Sequence, residues 1–361
     1  MLNIDQLTRQ VLYNCDISDA SHAGLYSICG LALRLRDLYK WENRLPPWEE
    51  KDTGEILDWI GAKEERWEDA VELDFCRLAV NGSKFDVFDV DQINRILEPQ
   101  GLYYGAGYAH SLKPTFLLAE IDEKRAINGI PVYILGRELA RDLLTLPALT
   151  QGDAILMRTE AARLYLWDQM SYIKKSGRPA LQYALANCGL PGNDSCELRP
   201  HLDQLLEILK DSFIYHEIGE MSDTVFERSI WREIVSEHPR SPVELAARVL
   251  KDLLADTNPA GTLPRIIDRK NEPALAFYAA FLDGLAREFF PELRVAFQLF
   301  TGSKDWALIE QTVVDGRRRA EDYTNRMIDF HRTGRQKNKG KEWVAAQVEK
   351  HILNKVQNKS T

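Results

Sequence analysis

From residue 137 onward, apolar side chains recur at spacings of three and four, and the runs are cut by Gly, Pro and Asn. Such spacing lays a single apolar stripe along an α-helix and suits few other structures. Stretches near 137–146, 153–175, 178–187, 199–237, 242–256, 273–289 and 303–331 therefore read as helices that end at those breaks. No fixed-length repeat runs through them, which argues against a solenoid. With 361 residues, about twice the usual domain size, the chain is expected to form two domains.

The earlier part has a different texture. Asp19 and Ser21 are candidate caps for a helix carrying Leu25, Ile28, Ala32, Leu35 and Leu38, which Pro46-Pro47 stops. A helical stretch over 53–80 has Ile56, Ile60, Trp67, Val71 and Phe75 as its stripe and Asn81-Gly82 as its stop. A short helix near 89–98 ends before Pro99. Leu102–Ala109, Thr115–Ile121 and Ile130–Leu135 are rich in aromatic and branched residues, with Asn128-Gly129 as a turn signal, and read as two or three strands of an antiparallel hairpin. The expected fold is mainly α. An N-terminal helical region with a small antiparallel β-element covers 1–147, and an all-helical, bundle-like domain covers 148–331. A basic flexible tail with a terminal helix covers 332–361, and the loop Pro147–Gly152 is the expected break between the domains.

A composition of 45% hydrophobic and 28% charged residues supports a large core and excludes a wholly disordered chain. No apolar run approaches the roughly 18 residues that cross a bilayer. The first residues carry acids early and lack a basic segment followed by an apolar one, so no secretory signal is read there. A soluble, cytoplasmic protein is the expectation. Cys15, Cys29, Cys76, Cys188 and Cys196 include no C-x-x-C pair and suit reduced thiols, although Cys188 and Cys196 flank a turn-rich stretch and could meet. The net charge of −9 argues against nucleic acid as a general partner. The charge is uneven: residues 49–74 hold 11 acids and 3 bases, whereas 332–361 hold 8 bases and 2 acids. A basic tail on an acidic body suits a homo-oligomer or docking of the tail onto the body as readily as RNA binding.

The most informative segment for chemistry is Phe213–Met221. On one helix Leu202, Leu206, Leu209 and Phe213 fall within about 40° of one line, and that line runs on into His216, Glu217 and Glu220 rather than more leucines. Two carboxylates and an imidazole buried together must be paired, hydrogen-bonded or bound to a metal. Ile214, Ile218, Met221 and Val225 mark a second face about 100° away, and if that face is the buried one the polar groups are solvated or paired with arginines such as Arg228. Glu160, on an apolar face with Leu156, Met157, Leu164 and Trp167, is the best further ligand; Asp168 flanks the same face. His331 closes the stripe of Trp306, Ile309, Val313, Ala320, Tyr323 and Met327, while His22 and His110 have weaker claims.

His216-Glu217-x-x-Glu220 resembles the H-E-x-x-H of zinc peptidases, with Glu220 where the second histidine ligand stands. The run YHEIGE is also similar to the H-D-I-G core of histidine–aspartate metal phosphohydrolases, with Glu217 in place of the aspartate. Each likeness covers about six residues and implies a divalent metal. The function expected on this basis is a metal-dependent hydrolase, with His216, Glu220 and Glu160 as ligands and Glu217 moving the proton. The alternative is a non-catalytic interaction protein. It would use the basic tail and the acidic segment that holds Trp41, Trp48, Trp59 and Trp67, since aromatic faces attract cations. Arg317-Arg318-Arg319 reads as a solvated helix face.

Overall fold

The computed structural model describes residues 2–109, 112–190 and 195–357. The chain divides into two compact units, 1–168 and 169–361, each with its own core.

Unit 1 opens with three helices, α1 (Ile4–His22), α2 (Ile28–Glu42) and α3 (Thr53–Ala70). A two-stranded hairpin follows, β1 (Leu78–Val80) and β2 (Ser83–Phe85), then α4 (Val90–Leu97). The main strands are β3 (Leu102–Ala109), β4 (Lys113–Ile127), β5 (Ile130–Arg141), β6 (Ala148–Gln151) and β7 (Ala154–Arg158), and α5 (Thr159–Ser171) follows them. The sheet order is β3-β4-β5-β7-β6, with β5 and β7 parallel and the other pairs antiparallel. Register shifts between Leu118 and Glu123 bend the long β4–β5 ladder, and the sheet is curled.

This corrects the expected fold. The β-structure is a five-stranded mixed sheet, and it extends past residue 137 through segments that read as helix. The run Ile155–Arg158 is buried at every position because β7 is an inner strand, covered on both sides. A short continuous apolar run of this kind carries no period by which strand and helix can be told apart. Asn81 and Gly82, both with positive φ (51° and 87°), form the β1–β2 turn instead of stopping a helix. Asp19 lies inside α1 and is buried, so it caps nothing; Ser27 caps α2 by accepting from the Gly30 amide.

Alternation along β3 and β4 sorts their side chains onto two faces. Tyr104, Phe116 and Leu118 pack with Leu7, Val11 and Cys15 of α1 and Ile93 of α4, while Tyr103, Leu117 and Ala119 pack with Tyr133, Leu135 and Leu156. Leu35, Leu38, Trp41, Trp67 and Leu143 form a further cluster.

All the regular structure among the described residues of unit 2 is helical. It comprises α6 (Arg178–Asn187), α7 (Ser195–Leu198), α8 (Leu202–Ser222), α9 (Arg228–Glu237), α10 (Pro242–Thr257) and α11 (Thr262–Asp268). There follow α12 (Glu272–Phe281), α13 (Gly284–Phe289), α14 (Pro291–Ser303), α15 (Trp306–Gln336), α16 (Gly340–Val348) and α17 (Asn354–Gln357), with one π-helical turn, Glu349–Leu353, before α17. Residues 332–336, expected in the flexible tail, continue α15. Beyond them Val344, Val348, Ile352 and Val356 are buried. Among the described residues no helix is long and apolar enough to cross a membrane.

Candidate functional site

α8 and α10 run antiparallel and pack closely, because Gly219 removes the side chain that would otherwise separate them. A Cβ at position 219 would lie 2.1 Å from the Ala255 carbonyl oxygen. That approach aligns a polar ladder along one side of the pair. His216 Nδ1 lies 2.8 Å from Asp256 Oδ1, and the Tyr278 hydroxyl of α12 donates to the other oxygen of Asp256 at 2.9 Å. One turn away Lys251 pairs with Glu220, and its ammonium also sits 4.2 Å over the Trp231 ring. His216 Nε2 is turned toward Asp252 Oδ1, 4.0 Å away.

The electrostatics follow from this spacing. Burial disfavours the imidazolium, but the Asp256 carboxylate, with Asp252 and Glu217 behind it, holds the His216 pKa well above its ordinary value. Loss of water together with repulsion from Asp256 and Glu220, opposed by His216, raises Asp252 to about 6. Its side chain is nevertheless 59% exposed, so this end of the ladder is open to solvent. Desolvation opposes ionisation of Glu220, and Lys251 outweighs it, so its pKa is lowered. Burial and the neighbouring Asp256 push the Tyr278 hydroxyl well up.

The residues expected from the sequence are distributed as follows. His216 and Glu220 both lie in the ladder, each with its own partner, and Glu217 is half-buried on the next position of α8. Glu160 belongs to unit 1, where its carboxylate accepts the Glu138 amide at 3.0 Å and lies 3.6 Å from Arg44; burial raises its pKa. Asp168 accepts from Arg36 at 2.7 and 2.9 Å. Buried His331 lies 3.2 Å from Glu233 and 3.6 Å from Glu237. His22 bonds to the Ser18 carbonyl, while His110 and the side chain of Cys196 fall outside the described residues. Among the described residues no three His, Cys, Asp or Glu side chains are grouped to hold a metal ion.

Trp41 and Trp67 are buried in the α2–α3 core and Trp48 stacks edge-on to Trp167, whereas the acids of α3 face outward. Arg317, Arg318 and Arg319 are all ion-paired, to Asp223, Asp315 and Glu292. Asp252, Asp256 and Tyr278 escaped the sequence reading. The first two stand four apart and share a helix face, a signal that points to a partner but not to which helix carries it.

Two family models match the chain: the N-terminal domain of a family of unknown function (DUF6866) over residues 6–158, and the C-terminal domain of the same family over 163–351. The chain belongs to that family. No curated protein and no solved structure matches it.

Proposed function

We propose that in this member of the DUF6866 family the α8–α10 ladder is an acid–base centre, with His216 as proton donor in hydrolysis of a small polar substrate. The observation that carries this reading is the asymmetry around the imidazole. Nδ1 is fixed by Asp256, which Tyr278 holds in turn, while Nε2 is directed at a solvent-accessible carboxylate. An orienting carboxylate on one ring nitrogen leaves the other to transfer protons. Asp252, open to solvent beside Nε2, can pass protons between water and the imidazole. The test is a panel of p-nitrophenyl carboxylate and phosphate esters. Turnover should be lost in His216→Gln and reduced in Asp256→Asn. A panel in which the wild type is as inactive as His216→Gln sinks the catalytic reading and leaves an ion pair that joins two helices.

The 4.0 Å gap between Nε2 and Asp252 supports a second reading, that a divalent ion sits between the two. Asp256 would orient the imidazole from behind, an arrangement common at metal sites. Glu217 would move the proton, and Glu220 would join only by releasing Lys251. A manganese or zinc titration that shows stoichiometric uptake, lost in His216→Gln and Asp252→Asn, selects this reading over the first.

A further inference from the structure

A recess of about 660 Å³ opens on unit 2 where α11 ends and α12 begins. Arg265, Arg269 and Lys270 line it, together with Asp211, Asn271 and Glu272. We propose that this recess binds a small phosphate ester through Arg265, Arg269 and Lys270.

The cations are held loosely and are well placed. The Arg265 guanidinium stands over the Tyr215 ring, its Cζ 4.6 Å from the ring centre, a cation–π contact that helps to hold it. Its carboxylate neighbours Asp211 and Asp268 stand at 3.4 and 3.6 Å, longer than the 2.7–2.9 Å typical of a tight charge-assisted bond. Its Nε is buried and has no hydrogen-bond partner. Arg269 lies 3.9 Å from Asp268. Glu272 does not neutralise this group, because Lys304 and the Tyr183 hydroxyl hold its carboxylate.

Lys270 is the most telling of the three. The Asn271 amide bonds to the Ile266 carbonyl and the Lys270 amide to that of Ile267, each at 3.0 Å, which is the hydrogen-bond pattern of a glycine-favouring helix stop. Lys270 occupies its left-handed position with φ 48°. Glycine adopts that conformation without strain, whereas lysine does so at a cost and keeps an ammonium at the wall of the recess. Asn271 caps α12, whose N-terminal dipole adds to the positive potential there.

The experiment is calorimetric titration of the full chain with inorganic phosphate and with AMP. AMP should saturate a single site, at least as tightly as phosphate does. Arg269→Ala and Lys270→Gly should each weaken AMP by about tenfold, while Arg318→Ala, on α15, should bind as the wild type does. Lys270→Gly without ligand should melt no lower than the wild type, so its loss of binding cannot be put down to misfolding. The proposal is overturned if AMP does not saturate, if phosphate binds and AMP does not, if Lys270→Gly binds normally, or if Arg318→Ala weakens binding equally.

Discussion

His216 shows what a single side chain on a predicted helix can and cannot disclose. The sequence places it where the stripe of Leu202, Leu206 and Leu209 turns polar; on α8 the burial passes instead to Ile214 and Ile218, the second face, and Phe213 and His216 are left half-buried. Its decisive partner, Asp256, is forty positions away, and no periodicity within α8 reports on it. The raised pKa has a definite consequence. A histidine held above its unfolded value of about 6.5 contributes stability that is complete below that pH and is lost as pH rises through the folded value. An NMR titration should therefore find His216 still protonated above pH 6.5, and Asp256→Asn should bring its pKa down; an unshifted His216 would remove the electrostatic basis of the ladder. A second buried network, in unit 1, escaped the sequence altogether. Lys113 Nζ stands 2.9 Å from both Asp19 and Asp142, all three nearly inaccessible, and burial raises Asp19 to about 7 while Lys113 keeps Asp142 low. Lys113→Met should cost about 3–5 kcal/mol in urea unfolding, because two buried carboxylates lose their cation. The loss should be smaller at pH 5 than at pH 8, since Asp19 takes a proton as pH falls; equal losses would mean that the carboxylates are not buried together.

At the level of elements, what was legible depended on whether burial left a period in the sequence. α4, which ends before Pro99, and the Asn128-Gly129 turn follow from local chemistry and are found as expected, although the Asp89 side chain makes no cap bond to the helix. β7 could not be read, because an inner strand buries consecutive residues just as a core helix does. The packing of α8 on α10 was equally silent, since the glycine that permits it resembles any other helix glycine. Gly61 and Gly219 make the comparison. Both lie inside helices, but a Cβ at Gly61 would meet nothing within 4 Å. Gly61→Ala should stabilise α3 by about 0.5–1 kcal/mol through helix propensity. Gly219→Ala must push α10 away, and should lose about 2 kcal/mol or more despite the same gain in propensity. The two melting curves should move in opposite directions. If Gly219→Ala also leaves the His216 titration unchanged, the close approach is not what builds the ladder.

At the scale of the molecule, the C-terminal thirty residues join buried apolar side chains to a basic surface. Their Lys, Asn and Gly content suggests a flexible segment over 332–341, and the spacing of Val344, Val348, Ile352 and Val356 reads as the apolar face of a terminal helix. Val344, Val348, Ile352 and Val356 recur every four residues, and all four are buried. Gly334 of α15 makes the contact close, since a Cβ there would lie 2.6 Å from the Val344 side chain. Lys337, Lys339, Lys341, Lys350 and Lys355 remain exposed on the outer side, so one segment supplies both core and positive surface. Burying four such apolar side chains contributes about 6–12 kcal/mol, comparable with the whole stability of a typical domain, about 5–15 kcal/mol. A chain ending at Lys339 should therefore unfold at much lower urea than the full chain, with the loss falling on unit 2. In unit 1 the β4–β5 ladder pairs without the segment, and its amide protection against hydrogen exchange should survive the cut. Equal urea midpoints for the two chains would mean that the terminal helix only rests on the surface, and that its four valine and isoleucine contacts add little to the fold.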